Sequence, residues 1–168
     1  MKNISVVFSK HKGFNVFSGL IKLGLNTPFS HVAIKMTDGD TGQVVYYQAS
    51  GMDINCVSEE AFLNQEDVVC EKDIQVSEEI YIKGKTFAIS QLGKPYSMPA
   101  IFGFAVQILL GCFGVKITNP AKNNGSQYVC SQFAAAYIEN AEGIELDVTN
   151  MTPKALYELM PSLPSVLN

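Results

Sequence analysis

The chain predicts an α+β fold, an antiparallel sheet packed against helices, and three observations predict it. Most runs before Ser77 are short and rich in β-branched and aromatic residues, whereas helical spacing dominates after it. Asp38-Gly39-Asp40-Thr41-Gly42 joins two of the early runs and has the composition of a hairpin turn. Finally, 168 residues with 47% hydrophobic and 17% charged side chains can bury a core and do not read as disordered. One domain over 1–168 is the simplest organisation.

Residues 4–9 alternate weakly and read as a first strand. Phe14, Phe17, Leu20/Ile21 and Leu25 recur at helical spacing, giving a short helix over 14–25 that Thr27-Pro28 interrupts. Residues 31–37 and 43–50 form the hairpin, and 53–57 and 67–76 are further strands. Ser77 caps a helix whose first turn holds Glu78 and Glu79, the charge a helix N-terminus favours. Ile80, Ile82, Phe87, Ile89 and Leu92 supply its partial apolar face, Gly93 ends it and Pro95 follows.

Residues 100–115 are almost wholly apolar, interrupted by Gln107. The stretch is shorter than the roughly 20 residues a spanning helix needs, so it reads first as a buried helix. Its second reading is a helix that rests on a membrane surface or covers a lipid-binding groove. A polar loop over 119–125 precedes a helix from about Ser126, its expected cap, to Asn140. Thr152-Pro153, a cap followed by proline at the first helical position, opens a last helix that Pro161 closes.

Composition narrows the function. All 12 basic residues are lysines and the net charge is -4, so no nucleic-acid partner is expected: bidentate phosphate and guanine contacts favour arginine. Cys56, Cys70, Cys112 and Cys130 form no C-x-x-C pair and no Cys/His cluster, so neither a metal nor another cofactor is expected. The apolar opening is too short for a signal peptide, which points to a cytoplasmic location and free thiols. Cys56, Cys70 and Cys112 read as small buried hydrophobes. No signal for an oligomeric state is present.

Two distant segments carry the chemistry. Ser30-His31-Val32-Ala33-Ile34 is a strand with a histidine, and Tyr128-Val129-Cys130-Ser131-Gln132-Phe133 opens a helix with a cysteine. A thiol is a good nucleophile only as thiolate, and a helix N-terminus and a nearby imidazole both lower its pKa. With Ser126 as cap, Cys130 ends the first turn and shares a stripe with Phe133/Ala134, Tyr137 and Ala141. From position alone it reads first as a core residue. His31 alone reads as a satisfied strand histidine. A turn centred on Gly39-Asp40 sets Gln48 opposite His31, where its carbonyl can accept an imidazole N–H and orient the ring. His11 falls in the polar stretch Ser9 to Gly13 and reads as a turn residue. Asp38 and Asp40 read as solvated turn formers, and Glu59, Glu60, Glu78 and Glu79 as surface and helix-start charges.

Five segments in order resemble the landmarks of the permuted papain-like, NlpC-type cysteine peptidases, the YiiX-like group: Phe29 to Ile34, Tyr47-Gln48-Ala49-Ser50, Leu92-Gly93-Lys94-Pro95-Tyr96, Tyr128 to Phe133, and Thr152-Pro153 with Leu156. The resemblance implies a circularly permuted papain-like, NlpC-type fold in which the histidine strand precedes the cysteine helix. It implies Cys130 as nucleophile, His31 as general base, Gln48 as third polar residue, and Tyr96 lining the site. Tyr128 reads as a packing residue first and a substrate contact second. In that group a carboxylate often stands where this chain has Gln48, and a Gly-Asp-Ile type opening where it has Val6-Val7-Phe8-Ser9. The implied function is a peptidase or amidase acting on a small peptide or amide through a thioester. A lipid-directed acyltransferase or esterase, like the lecithin:retinol acyltransferase-like relatives, is the alternative that residues 100–115 favour. Those relatives carry an Asn-Cys-Glu-His-Phe type motif instead of Val129 to Phe133. An inert binding module on the same fold is the third reading.

Overall fold

The computed structural model describes residues 1–13, 26–39, 41–97 and 127–163, with positions 103, 110, 111 and 114. Apart from those four positions, the expected helices over 14–25 and 100–115 and the loop over 119–125 lie outside the described residues. Five strands, β1 (Lys2–His11), β2 (His31–Thr37), β3 (Val44–Ser50), β4 (Asp53–Ser58) and β5 (Glu66–Val76), form one sheet of order β4-β3-β2-β1-β5. Every pairing in it is antiparallel. Four α-helices are present among the described residues: α1 (Glu59–Gln65), α2 (Glu78–Gln91), α3 (Cys130–Glu142) and α4 (Pro153–Leu159).

Strand alternation divides the core. Val6, Phe8, Val32, Ile34, Met36 and Tyr47 point to the face that α2, α3 and α4 cover. Val7, Ala33 and Tyr46 point the other way, where Phe62 of α1 closes a smaller core and stacks on Tyr46 at 4.1 Å. The short α1 was not expected from sequence. Its signal is the Ser58 cap, accepting the Ala61 N–H at 3.3 Å, before Glu59 and Glu60. Phe62 is its one buried side chain, so no periodic stripe advertises it.

Four expectations need correction. The buried face of α2 is Tyr81, Gly84, Ala88 and Gln91, while Ile82 and Ile89 are 55% and 49% exposed. Close approach decides this: Gly84 backs onto the Tyr137 ring, and an added Cβ would lie 2.6 Å from Tyr137 Cζ. The β2–β3 hairpin pairs Ile34 with Tyr47 and Thr37 with Val44, two residues from the expected register. Helix α3 begins at Cys130, not near Ser126, and Val129 is its N-cap. Cys56 is exposed and Cys70 partly so, because β4 is an edge strand and β5 the other edge; Cys112 lies outside the described residues. The Thr152 cap and Pro153 start of α4 match expectation, with Met160–Ser162 adding a 3-10 turn through Pro161.

Candidate active site

The β2–β3 ladder stops at Ile34–Tyr47. Past that point the strands no longer share backbone hydrogen bonds, and the start of α3 meets the released end of β2. The two-residue offset of the hairpin moves Gln48 from directly opposite His31 to a diagonal neighbour. An even offset keeps both side chains on one sheet face, so they still meet. His31 Nε2 lies 2.7 Å from Gln48 Oε1.

Gln48 is itself held. Its Nε2 donates to Asn55 Oδ1 at 3.3 Å, and Asn55 Nδ2 donates to Ser50 O and Asp53 Oδ1. Asn55 sits directly across the β3–β4 ladder from Gln48. This chain fixes the Gln48 carbonyl toward the ring, makes Nε2 the protonated nitrogen, and leaves Nδ1 for the thiol.

Cys130 is 5% exposed and occupies the first position of α3. The four leading N–H groups of a helix have no partner within it. Valine at the N-cap offers no side-chain acceptor for them. The Ser131 N–H accordingly donates to the Cys130 sulfur, joined by the Val32 N–H that the splayed hairpin releases. Ser131 Oγ donates to Met151 O at 2.7 Å and Gln132 Nε2 to Thr149 O at 2.8 Å, pinning this end of α3 to the segment before α4. Both side chains are fully buried.

Burial raises the Cys130 pKa, but the His31 ring, its charge and the two backbone N–H groups outweigh it, and the thiol is held below its ordinary value. Burial correspondingly pulls His31 down, while the hydrogen bond to Cys130 and its charge, then Glu66 and Gln48, push it up to about 9. Opposite shifts in a touching pair favour thiolate beside imidazolium. No disulfide engages Cys130.

Tyr96 reaches the same point from the segment after α2. Its phenol oxygen accepts the Cys130 backbone N–H and its hydroxyl lies against the thiol; burial raises its pKa well above the ordinary value, and the Cys130 charge adds to that. Tyr128 does not reach the pair. It bridges in parallel to Tyr96, accepts the Ser97 N–H at 3.0 Å, and packs edge-on to Phe133. Tyr128 thus braces Tyr96. Sequence reasoning did not single out Asn55, Val32 N–H or Glu66. Asn55 was legible only through strand register, and the backbone donor leaves no mark on residue type.

No family model matches the chain, and no curated protein sequence matches it. Among solved structures, the chain is similar to one described as metalloprotein YiiX from Escherichia coli O157:H7, DUF1105. The TM-score is 0.55 at 14% identity, covering 98% of this chain and 93% of that one. At that identity the likeness concerns the fold: this chain has a YiiX-like α+β fold.

Proposed function

We propose that this chain is a cysteine hydrolase of the permuted papain-like type, organised as one domain, that cleaves an amide bond in a small peptide or related substrate. The observation that carries the reading is the convergence of Cys130, at a helix start with its thiol pKa lowered, on a His31 ring whose other nitrogen is held by Gln48. The YiiX-like fold agrees with it.

In the proposed reaction the Cys130 thiolate attacks the carbonyl carbon, forming the S–C bond and moving the carbonyl electron pair onto oxygen. The Cys130 N–H, which gives up its bond to the Tyr96 oxygen as substrate enters, and the Tyr96 hydroxyl are the two donors for that oxyanion. Collapse breaks the C–N bond as His31 Nδ1 protonates the leaving nitrogen. Water, deprotonated by His31, then attacks the thioester, and the S–C bond breaks to return the thiol. Gln48 orients the ring throughout and carries no charge of its own. The metalloprotein designation of the neighbour is not carried over: among the described residues no group of three or more His, Cys, Asp or Glu is placed to hold a metal ion.

The test is labelling by an acylating, thiol-directed probe. Cys130→Ala abolishes it, and labelling that persists at another cysteine sinks the assignment. A second reading, acyl transfer or ester hydrolysis on lipids, has one observation among the described residues in its favour. Met52, 88% exposed, and the exposed Leu92 flank the Tyr96 segment, with Met52 O accepting the Tyr96 N–H at 2.8 Å. No described helix is long and apolar enough to cross a membrane. Co-sedimentation with liposomes decides this reading: absence of lipid binding removes it. A non-catalytic domain would instead show a Cys130 thiol titrating near about 8.5.

A further inference from the structure

Glu66, the first residue of β5, is a carboxylate only 8% exposed. Burying such a group is costly unless its oxygens are satisfied. Here both are: Ser9 Oγ donates to Oε2 at 2.8 Å, and His11 Nδ1 lies 3.0 Å from Oε1. His11 is thus a strand residue opposite Glu66 and not part of a polar turn. Ser9, fully buried, is the direct cross-strand partner of His31 in the β1–β2 ladder. Paired residues share a face, so Ser9, His11, His31 and Glu66 project to the same side of the sheet.

A bulge creates this arrangement. Phe8 pairs with Cys70, but Ser9 pairs with Val68, leaving Val69 as the extra residue. A flush register would set Asp67 opposite His11 and send Glu66 to the other face. Asp67 instead pairs with Lys10 and Lys12, at 3.8 and 3.7 Å.

We propose that Glu66 is a positioning residue for His31, supplying across Ser9 the fixed negative charge that the neutral Gln48 cannot. This rests on the cysteine-hydrolase reading and deepens it. Among the described residues, the groups around the imidazole are Cys130 from α3, Gln48 from β3, Phe62 from α1 and Ser9 from β1, and the carboxylate whose charge acts on it is Glu66. Its charge is one of the influences that raise His31.

The experiment is the pH profile of Cys130 alkylation by iodoacetamide, in the full chain with Cys56, Cys70 and Cys112 replaced by serine. Glu66→Gln keeps both hydrogen-bonding positions and removes the charge. It moves both limbs of the profile to lower pH, by about half a unit to one unit. Glu66→Asp keeps the charge and leaves the profile near its parental position. Should Glu66→Gln not fold, Glu66→Ser, which removes the charge with a smaller polar side chain, decides on the same shift. A purely structural Glu66 lowers stability and leaves the profiles superimposable, which overturns the proposal. An unshifted thiol in the parent protein overturns the hydrolase reading instead, so the two failures are distinguishable.

Discussion

Cys130 and Cys56 are two thiols on opposite sides of one principle. Cys56 stands on the edge strand β4, exposed, across from Tyr47. Partial burial raises its pKa, and the Tyr47 hydroxyl offsets this only in part; Tyr47 in turn is pushed up to about 12, by burial first and then by Cys56. Cys130 is far more buried, yet its pKa falls. Exposure therefore does not set acidity here. What differs is the supply of positive charge and N–H donors: one neutral hydroxyl at Cys56, against an imidazole and two backbone N–H groups at Cys130.

The sharpest way to break the contrast is to remove each sulfur. Cys130→Ala eliminates labelling by the acylating probe and Cys56→Ala leaves it intact; mass spectrometry of the labelled peptide reads the result. Next in size is His31→Ala, which returns Cys130 toward ordinary thiol behaviour. Its alkylation rate at pH 6.5 falls about 100-fold or more, while the rate at Cys56 stays constant. Tyr96→Phe removes one proposed oxyanion donor while leaving the His31–Cys130 hydrogen bond in place. Turnover drops about tenfold to 100-fold, yet the alkylation profile keeps its shape. Equal losses in both assays would remove Tyr96 from the oxyanion site.

The pH dependence follows from the two shifts. The proposed activity needs thiolate and imidazolium together, so it is expected to rise in acid as the lowered Cys130 thiol ionises and to decline as pH passes about 9, where His31 loses its proton. Stability has its own sign. A folded pKa above the unfolded value of about 6.5 means that protonated His31 favours the native state. That contribution is complete below about pH 6.5 and lost as pH rises through about 9. Thermal melts across this range check it, and His31→Ala flattens the trend. The smallest effect at the site comes from Gly84→Ala, which forces a methyl against Tyr137 between α2 and α3. It costs about 1–3 kcal/mol of stability in denaturant titration and leaves the acid and alkaline limbs where they were.

Much of the frame was legible because it depends on local chemistry. Ser77 and Thr152 cap helices wherever they are followed by the right first turn, and both do so here. Cys130 and His31 stood out because few residue types can do nucleophilic work. Glu66 was not legible: it lies in the polar run Asn64 to Asp67 and gains its place only through the bulge at Val69. Tyr96 was placed at the site by resemblance, but the donor role proposed for it was not legible, since it meets Cys130 through a contact 34 positions apart in the chain.

Residue types and spacing by themselves determined where the strands and the Ser77- and Thr152-capped helices form, and which thiol and imidazole to watch, because propensity, capping and nucleophilicity belong to short stretches of chain. Tertiary structure alone decided the hairpin register, the Val129 start of α3 that leaves its first N–H groups open, and the side of the sheet that Glu66 occupies. Those outcomes are set by packing between distant segments: Gly84 against Tyr137 and one bulged residue beside Ser9 fix positions that no local preference specifies.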